Sequence, residues 1–113
     1  MSVPSDLIRG NTETIILARL MEHDSYGYEI NREILNRTDG HYELKEATLY
    51  TAFRRLEDAG CIRSYWGDEV TGARRRYYAI TDAGREAYRR RCEEWDEGKR
   101  MIDRLIRAEG ETI

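Results

Sequence analysis

Hydrophobic residues recur along this chain at two spacings, and the change from one to the other divides it. Across residues 7–22, Leu7, Ile8, Ile15, Ile16, Leu17, Ala18, Leu20 and Met21 make an apolar surface wider than a single helical stripe. That breadth predicts one helix packed on two sides. Asp24 or Ser25 can cap a second helix, in which Tyr28, Ile30, Ile34 and Leu35 face inward before residues 36–40 break it. Tyr42 and Leu44 suit a brief extended segment. A third helix opens near Glu46, although Lys45 is a poor N-cap. Its Leu49, Phe53 and Leu56 turn to a core, leaving Ala47, Thr48, Tyr50, Thr51, Arg54 and Arg55 on the wetter sides. Gly60, free to take a positive φ, ends it.

Beyond Gly60 the period falls to two. Ile62, Ser64 and Trp66 alternate with Arg63 and Tyr65, and Tyr78 and Ile80 alternate with Tyr77 and Ala79. Gly67, Asp68 and Gly72 between the two runs favour a turn, so the pair reads as a hairpin. Alternation sends Arg75 to the strand face opposite Arg74 and Arg76, so the three cannot all point one way and one of them can be structural. Trp66, on a strand, is expected in the core. Thr81 is suited to cap a last helix over residues 82–107, with Asp82 near its positive end. At 1.5 Å per residue that helix is about 39 Å long, too long to be covered by a domain of this size. Tyr88, Cys92, Trp95, Ile102 and Ile106 follow heptad spacing along it, with Lys99 at the missing place and Met101 and Leu105 widening the stripe. Such a seam predicts a partner helix, the same helix or the first one of a second subunit. Gly98 costs about 1 kcal/mol relative to Ala in a helix interior, and leaves room for another backbone.

Three helices, a hairpin and a long helix make an α+β chain of winged helix-turn-helix type. In that architecture the helix before the hairpin can enter the DNA major groove while the hairpin reaches backbone or minor groove. The expected division is a DNA-binding domain over residues 1–81, a dimerisation helix over 82–107 and a frayed tail over 108–113. The total charge of −3 and pI near 5.5 argue mildly against a nucleic-acid partner. The distribution reverses that. Residues 42–91 hold eleven basic side chains against eight acidic ones, and phosphate binding answers to the field within a Debye length of roughly 8–10 Å.

With 113 residues, 40% hydrophobic and 36% charged, the chain is too apolar for disorder and too polar for a membrane protein. No apolar run approaches the roughly 20 residues that span a bilayer, and the opening Met-Ser-Val-Pro-Ser-Asp lacks the features of a signal peptide. A soluble, cytoplasmic protein without a membrane partner is expected. Cys61 and Cys92 fall in different elements and read as reduced thiols. His23 and His41 have no cysteine or carboxylate at metal-ligand spacing, and neither a phosphate-binding glycine loop nor a nucleophile with its base is present. No catalytic residue, metal or cofactor is therefore expected. The competing class is a winged helix turned protein-interaction module, for which loss of the wing arginines would have been the sign.

Four segments together carry a family resemblance: Glu46-Ala-Thr-Leu-Tyr-Thr-Ala-Phe-Arg-Arg-Leu-Glu, Ser64-Tyr-Trp-Gly-Asp-Glu, Gly72-Ala-Arg-Arg-Arg-Tyr-Tyr and Ile80-Thr-Asp-Ala-Gly. With Tyr26-Gly-Tyr-Glu they resemble the PadR family of bacterial transcriptional regulators over nearly the whole chain. The single long C-terminal helix is similar to the short subfamily, and Trp95 resembles the tryptophan of its drug-sensing branch of lactococcal type. Members of that branch are dimeric repressors that sandwich flat aromatic compounds between paired indoles.

The resemblance implies a homodimer on a double-stranded, pseudo-palindromic operator, released by a planar aromatic ligand. It also assigns DNA contacts to Tyr26, Lys45, Ala47, Thr48, Tyr50, Thr51, Arg54, Arg74, Arg75 and Arg76. Leu7, Thr14, Ala18, Arg91, Cys92, Trp95 and Lys99 would line the ligand pore, and Tyr88, Cys92, Trp95, Ile102, Leu105 and Ile106 the dimer interface. The chain departs from the drug-sensing pattern where Arg91 and Lys99 replace a small and an acidic residue, and where Cys92 replaces an aromatic one. Two duller roles stand beside these. Tyr26 and Tyr50 can be half-packed phenols with wet hydroxyls, and Trp95 can plug a dimer seam without binding anything.

Overall fold

The computed structural model describes residues 4–67 and 74–110. Its elements run α1 (Ser5–Arg9), α2 (Thr12–Glu22), α3 (Gly27–Arg37), α4 (Glu46–Asp58), β1 (Ile62–Trp66), β2 (Arg76–Ile80) and α5 (Asp82–Ile106). The strands pair antiparallel, with Ile62 opposite Ile80 and Trp66 opposite Arg76. This is a winged helix-turn-helix with a long C-terminal helix. Among the described residues no helix is long and apolar enough to cross a membrane.

The stretch expected as one opening helix is two. At the break, the Asn11 amide donates to the Leu7 carbonyl at 2.9 Å and the Thr12 hydroxyl to the Arg9 carbonyl at 2.7 Å. Short polar side chains that capture nearby carbonyls compete with helix continuation, and Gly10 beside them is a weak helix former. α1 buries none of its residues, whereas α2 sinks Ile16, Leu17 and Leu20 into the core.

A second difference lies before α3. Neither Asp24 nor Ser25 caps that helix; Tyr26 occupies the cap position without a side-chain bond. Ser25 instead exchanges backbone hydrogen bonds with Tyr78 at 3.1 and 2.8 Å, forming an isolated bridge on the outer edge of β2. Its hydroxyl donates to Glu29. Asp24 accepts from the Tyr65 hydroxyl at 2.6 Å. Both polar residues thus tie the start of α3 to the hairpin. Tyr28, expected inward, is 67% exposed.

One core joins all the larger elements. Ile16, Leu17 and Leu20 meet Ile30 and Ile34 of α3, Leu49, Phe53 and Leu56 of α4, and Ile62, Tyr78 and Ile80 of the hairpin. Phe53 stacks on Tyr78 with centroids 3.9 Å apart. Leu44 is drawn in because its backbone N–H and C=O are both met by the Asn31 side chain, at 2.9 and 2.8 Å. Lys45 sits at the cap position of α4 and makes no side-chain cap bond. Gly60, at φ 77°, turns the chain out of α4 into β1.

Only the first third of α5 touches this core. Thr81 caps it by accepting from the Gly84 N–H at 3.0 Å, and Gly84 and Ala87 are its buried residues. A Cβ on Gly84 would lie 2.0 Å from the Cys61 carbonyl oxygen, so glycine is what lets the helix seat on the entry to β1. Beyond Gly98 every described residue is exposed. The chain measures 62 × 33 × 21 Å with a radius of gyration of 16.5 Å, against about 13 Å for a compact domain of this length.

Candidate nucleic-acid interface

α4 buries Leu49, Ala52, Phe53 and Leu56, and the helical repeat therefore turns Ala47, Thr51 and Arg54 outward, with Thr48 half-buried beside them. Tyr50 lies between these faces. Its ring meets Phe53 edge-on at 5.7 Å, and its hydroxyl rests over Gly27, where an added Cβ would come within 3.2 Å. The ring is nonetheless 44% exposed, so Tyr50 is a half-packed phenol at the surface.

The hairpin continues that surface. Tyr26 stands edge-on to Tyr77 at 5.3 Å, and Tyr77 stacks on Tyr65 at 5.7 Å. The hydrogen bond to Asp24 pushes the Tyr65 phenol above its usual value, and burial does the same for Tyr78. Arg75 lies 4.8 Å over the Tyr26 ring, while Arg74 and Arg76 lie over Trp66 at 5.4 and 5.9 Å. Arg74 and Arg75 precede β2, so strand alternation does not part the three: Arg75 faces Tyr26, the other two face Trp66, and all border the same cleft. Arg76 also donates to the Ser64 hydroxyl at 2.9 Å and sits 3.7 Å from Glu57, which ties it to the base of the fold. Trp66, expected in the core, is 53% exposed. The core on this hairpin is made by Ile62, Tyr78 and Ile80 and does not include it. Tyr26, Tyr28, Tyr50, Trp66 and Arg74, Arg75 and Arg76 line one cleft of about 490 Å³.

Across the molecule, α1, α2 and α5 enclose a second hollow of about 310 Å³, lined by Leu7, Ile8, Asn11, Thr14, Ile15, Cys92 and Trp95. Its wall is almost wholly apolar, and Trp95 is 37% exposed. Arg91 turns away from it and pairs with Glu13 at 3.0 Å; Glu13 also lies 3.9 Å from Arg55 of α4. Lys99 pairs with Asp96 at 3.4 Å, its ammonium 6.0 Å from the Trp95 ring. Among the described residues no three His, Cys, Asp or Glu side chains are placed to hold a metal.

With this geometry, the profile of the transcriptional regulator PadR-like family matches residues 16–90. The chain belongs to that family. It is 48% identical over 101 residues to an uncharacterised protein of Lysinibacillus sphaericus, covering 89% of this chain and 93% of that one. A transcriptional regulator from Clostridium thermocellum is 50% identical in sequence and superposes with a TM-score of 0.84 over 93% of this chain and 99% of that one. A PadR family transcription regulator from Clostridium difficile is 32% identical, with a TM-score of 0.75 over 86% and 99% of the two chains. The PadR-like family is one of transcriptional regulators rather than enzymes.

On this PadR-like chain the residues expected at DNA divide by neighbourhood. Tyr26, Tyr50, Arg74, Arg75 and Arg76 share the cleft, whereas Ala47, Thr48 and Thr51 border a separate groove with Arg9, Glu13, Arg55 and Arg91. Of the expected pore residues, Leu7, Thr14, Cys92 and Trp95 meet in the apolar hollow; Ala18 and Lys99 are not in its wall, although the Lys99 ammonium lies over the Trp95 ring, and Arg91 pairs with Glu13. Tyr88, expected in the intersubunit seam, lies half-buried against the chain's own core. Its hydrogen bond to Cys92, one turn on, raises its phenol pKa. Ile102, Leu105 and Ile106 are open to solvent. Sequence reading missed Trp66 and Tyr28 as surface aromatics and missed the Arg55–Glu13–Arg91 contact. For Trp66 a signal existed: it is the last residue of its strand, about 13 Å along from the buried Ile62 and next to the turn residues.

Proposed function

We propose that the protein is a homodimeric transcriptional repressor that binds a pseudo-palindromic DNA operator and is released by a planar, largely apolar ligand. The observation that carries this is the shared surface of α4 and the wing. Tyr50, Tyr26 and three guanidiniums line one cleft on a chain whose total charge is negative. That surface matches the docking geometry of a winged helix, with α4 in the major groove and the wing on backbone or minor groove. Arg74 and Arg75 would take phosphates there, and Lys45, at the start of α4, would add another.

Dimerisation is supported by the uncovered apolar stripe of Met101, Ile102, Leu105 and Ile106, of which Leu105 is 82% exposed. A two-fold axis along α5 would set two α4 helices roughly 34–36 Å apart, one DNA turn. The apolar hollow beside Trp95 supports a ligand reading, since a second copy of α5 would roof it. Such a ligand releases DNA only by preferring a dimer with the wrong α4 spacing.

The deciding experiment is titration of the protein against DNA from its own upstream region at two salt concentrations, with unrelated DNA as competitor. Specific binding with a steep salt dependence is the expected result. Absence of specificity at every salt would sink the repressor reading for that DNA. With the assay in hand, planar aromatics are screened for release of the complex, and release that persists in Trp95→Ala would remove Trp95 from the ligand site.

A further inference from the structure

Trp66 spends its surface in an unusual place. Large aromatics bury roughly 150–250 Å² each when they fill a core, yet this indole is half open at the end of β1 while smaller residues hold the interior. The structure does not leave it loose. Arg76 lies opposite it in the hairpin register and near its ring, and is itself tethered to Ser64 and Glu57. Arg74 lies over the ring at 5.4 Å. The ring is held in place beside fixed positive charge.

Around it, the described cleft wall is four aromatic rings, three guanidiniums and Gly27, with no carboxylate among the described lining residues. Tyr28, two-thirds exposed, stands on the α3 side. Guanidiniums alone would suit any polyanion. Partly exposed aromatic rings among them, Trp66 and Tyr28 above all, suit a polyanion that alternates phosphate with flat or apolar groups, which is the chemistry of a sugar–phosphate strand carrying bases. An acidic peptide would match the charge and leave the exposed ring surface in water.

We propose that Trp66, flanked by Tyr28, is an apolar DNA contact, packing on deoxyribose and base edges at the groove wall while the wing arginines take the neighbouring phosphates. This rests on the DNA-binding reading above and adds to it a contact with no counterion to release. Its signature therefore differs from that of an arginine. Removing a phosphate contact lowers the slope of log affinity against log salt by about one, whereas removing an apolar contact shifts the line without tilting it.

The test measures the affinity of full-length wild type, Trp66→Leu, Trp66→Phe and Arg74→Gln for the same upstream duplex across a salt series, with thermal unfolding of each. The expected result is a loss of roughly 10-fold or more for Trp66→Leu at every salt, parallel to wild type and with an unchanged melting temperature. Trp66→Phe should recover most of it, and Arg74→Gln should flatten the slope. Wild-type affinity in Trp66→Leu would overturn the contact. So would a loss accompanied by a flatter slope, since the indole would then merely hold its arginines. Should Trp66→Leu unfold, Trp66→Phe with wild-type stability and slope but weakened binding would still support the contact, and Trp66→Phe binding as wild type would overturn it. Failure of wild type to bind DNA, with capture of an acidic peptide instead, overturns the DNA reading itself and is distinguishable from each of these.

Discussion

Gly84 occupies the tightest position at the level of single residues. An added Cβ would meet the Cys61 carbonyl oxygen at 2.0 Å and its carbon at 2.9 Å, and backbone cannot swing aside as a side chain can. Gly84→Ala should cost about 3 kcal/mol or more of stability, read as a lower urea midpoint with an unchanged m-value. Tyr78 makes a second residue-scale test. Burial holds its phenol above the ordinary value of 10.0, so the folded state favours the neutral form. The stability it contributes is fully present below the unfolded pKa near 10 and is lost as pH rises through the raised folded value. The urea midpoint should therefore stay level in this phenol's contribution up to about pH 10 and fall above it. Tyr78→Phe should lessen that fall, and an identical alkaline profile in the variant would refute the assignment. The identity of these core residues was legible in their spacing. The exposure of Tyr28 and Trp66 was not, because periodicity assigns a residue to a face without saying how far the opposing surface reaches.

At the scale of elements, α2 is the post against which the others are set. Glu13, in its first turn, faces Arg91 of α5 at 3.0 Å and Arg55 of α4 at 3.9 Å. These groups are partly solvated, so the pairs are worth little individually. Glu13→Gln should lower stability by less than about 1 kcal/mol, while loosening a contact between the helix that carries Trp95 and the helix that faces DNA. If ligand release passes through this contact, Glu13→Gln should change the ligand concentration needed for release more than it changes operator affinity. Equal shifts in both would remove it from the route. The lengths of α4 and α5, the hairpin and the Thr81 cap were readable from local chemistry alone. The break at Gly10 and Asn11 was hidden because the hydrophobic pattern runs across it, and two short side-chain bonds decide the matter there. The cap of α3 misled for the converse reason: Ser25 and Asp24 have cap chemistry, and the hairpin claims them through contacts distant in sequence.

For the molecule as a whole, the radius of gyration of 16.5 Å reflects a helix that runs past the body it starts from. All core residues precede Gly98. Truncation after Gly98 should leave the near-ultraviolet signature of the Phe53–Tyr78 stack intact and yield a monomer by sedimentation. It should also weaken operator binding steeply, since two half-sites would no longer be engaged together. A truncated chain that still sediments as a dimer would refute the α5 interface. What the sequence determined by itself was governed by short range: element types from the period of apolar positions, the wing from alternation and turn residues, the acidic total with its basic centre, and the family motifs. Tertiary structure alone decided that Arg76 meets Ser64 and Glu57, which aromatics stay exposed, that Arg91 pairs with Glu13 outside the apolar hollow, and that Tyr88 packs against its own core. Each of those outcomes depends on the distance between elements far apart in the chain, and spacing along one element carries no information about the position of another.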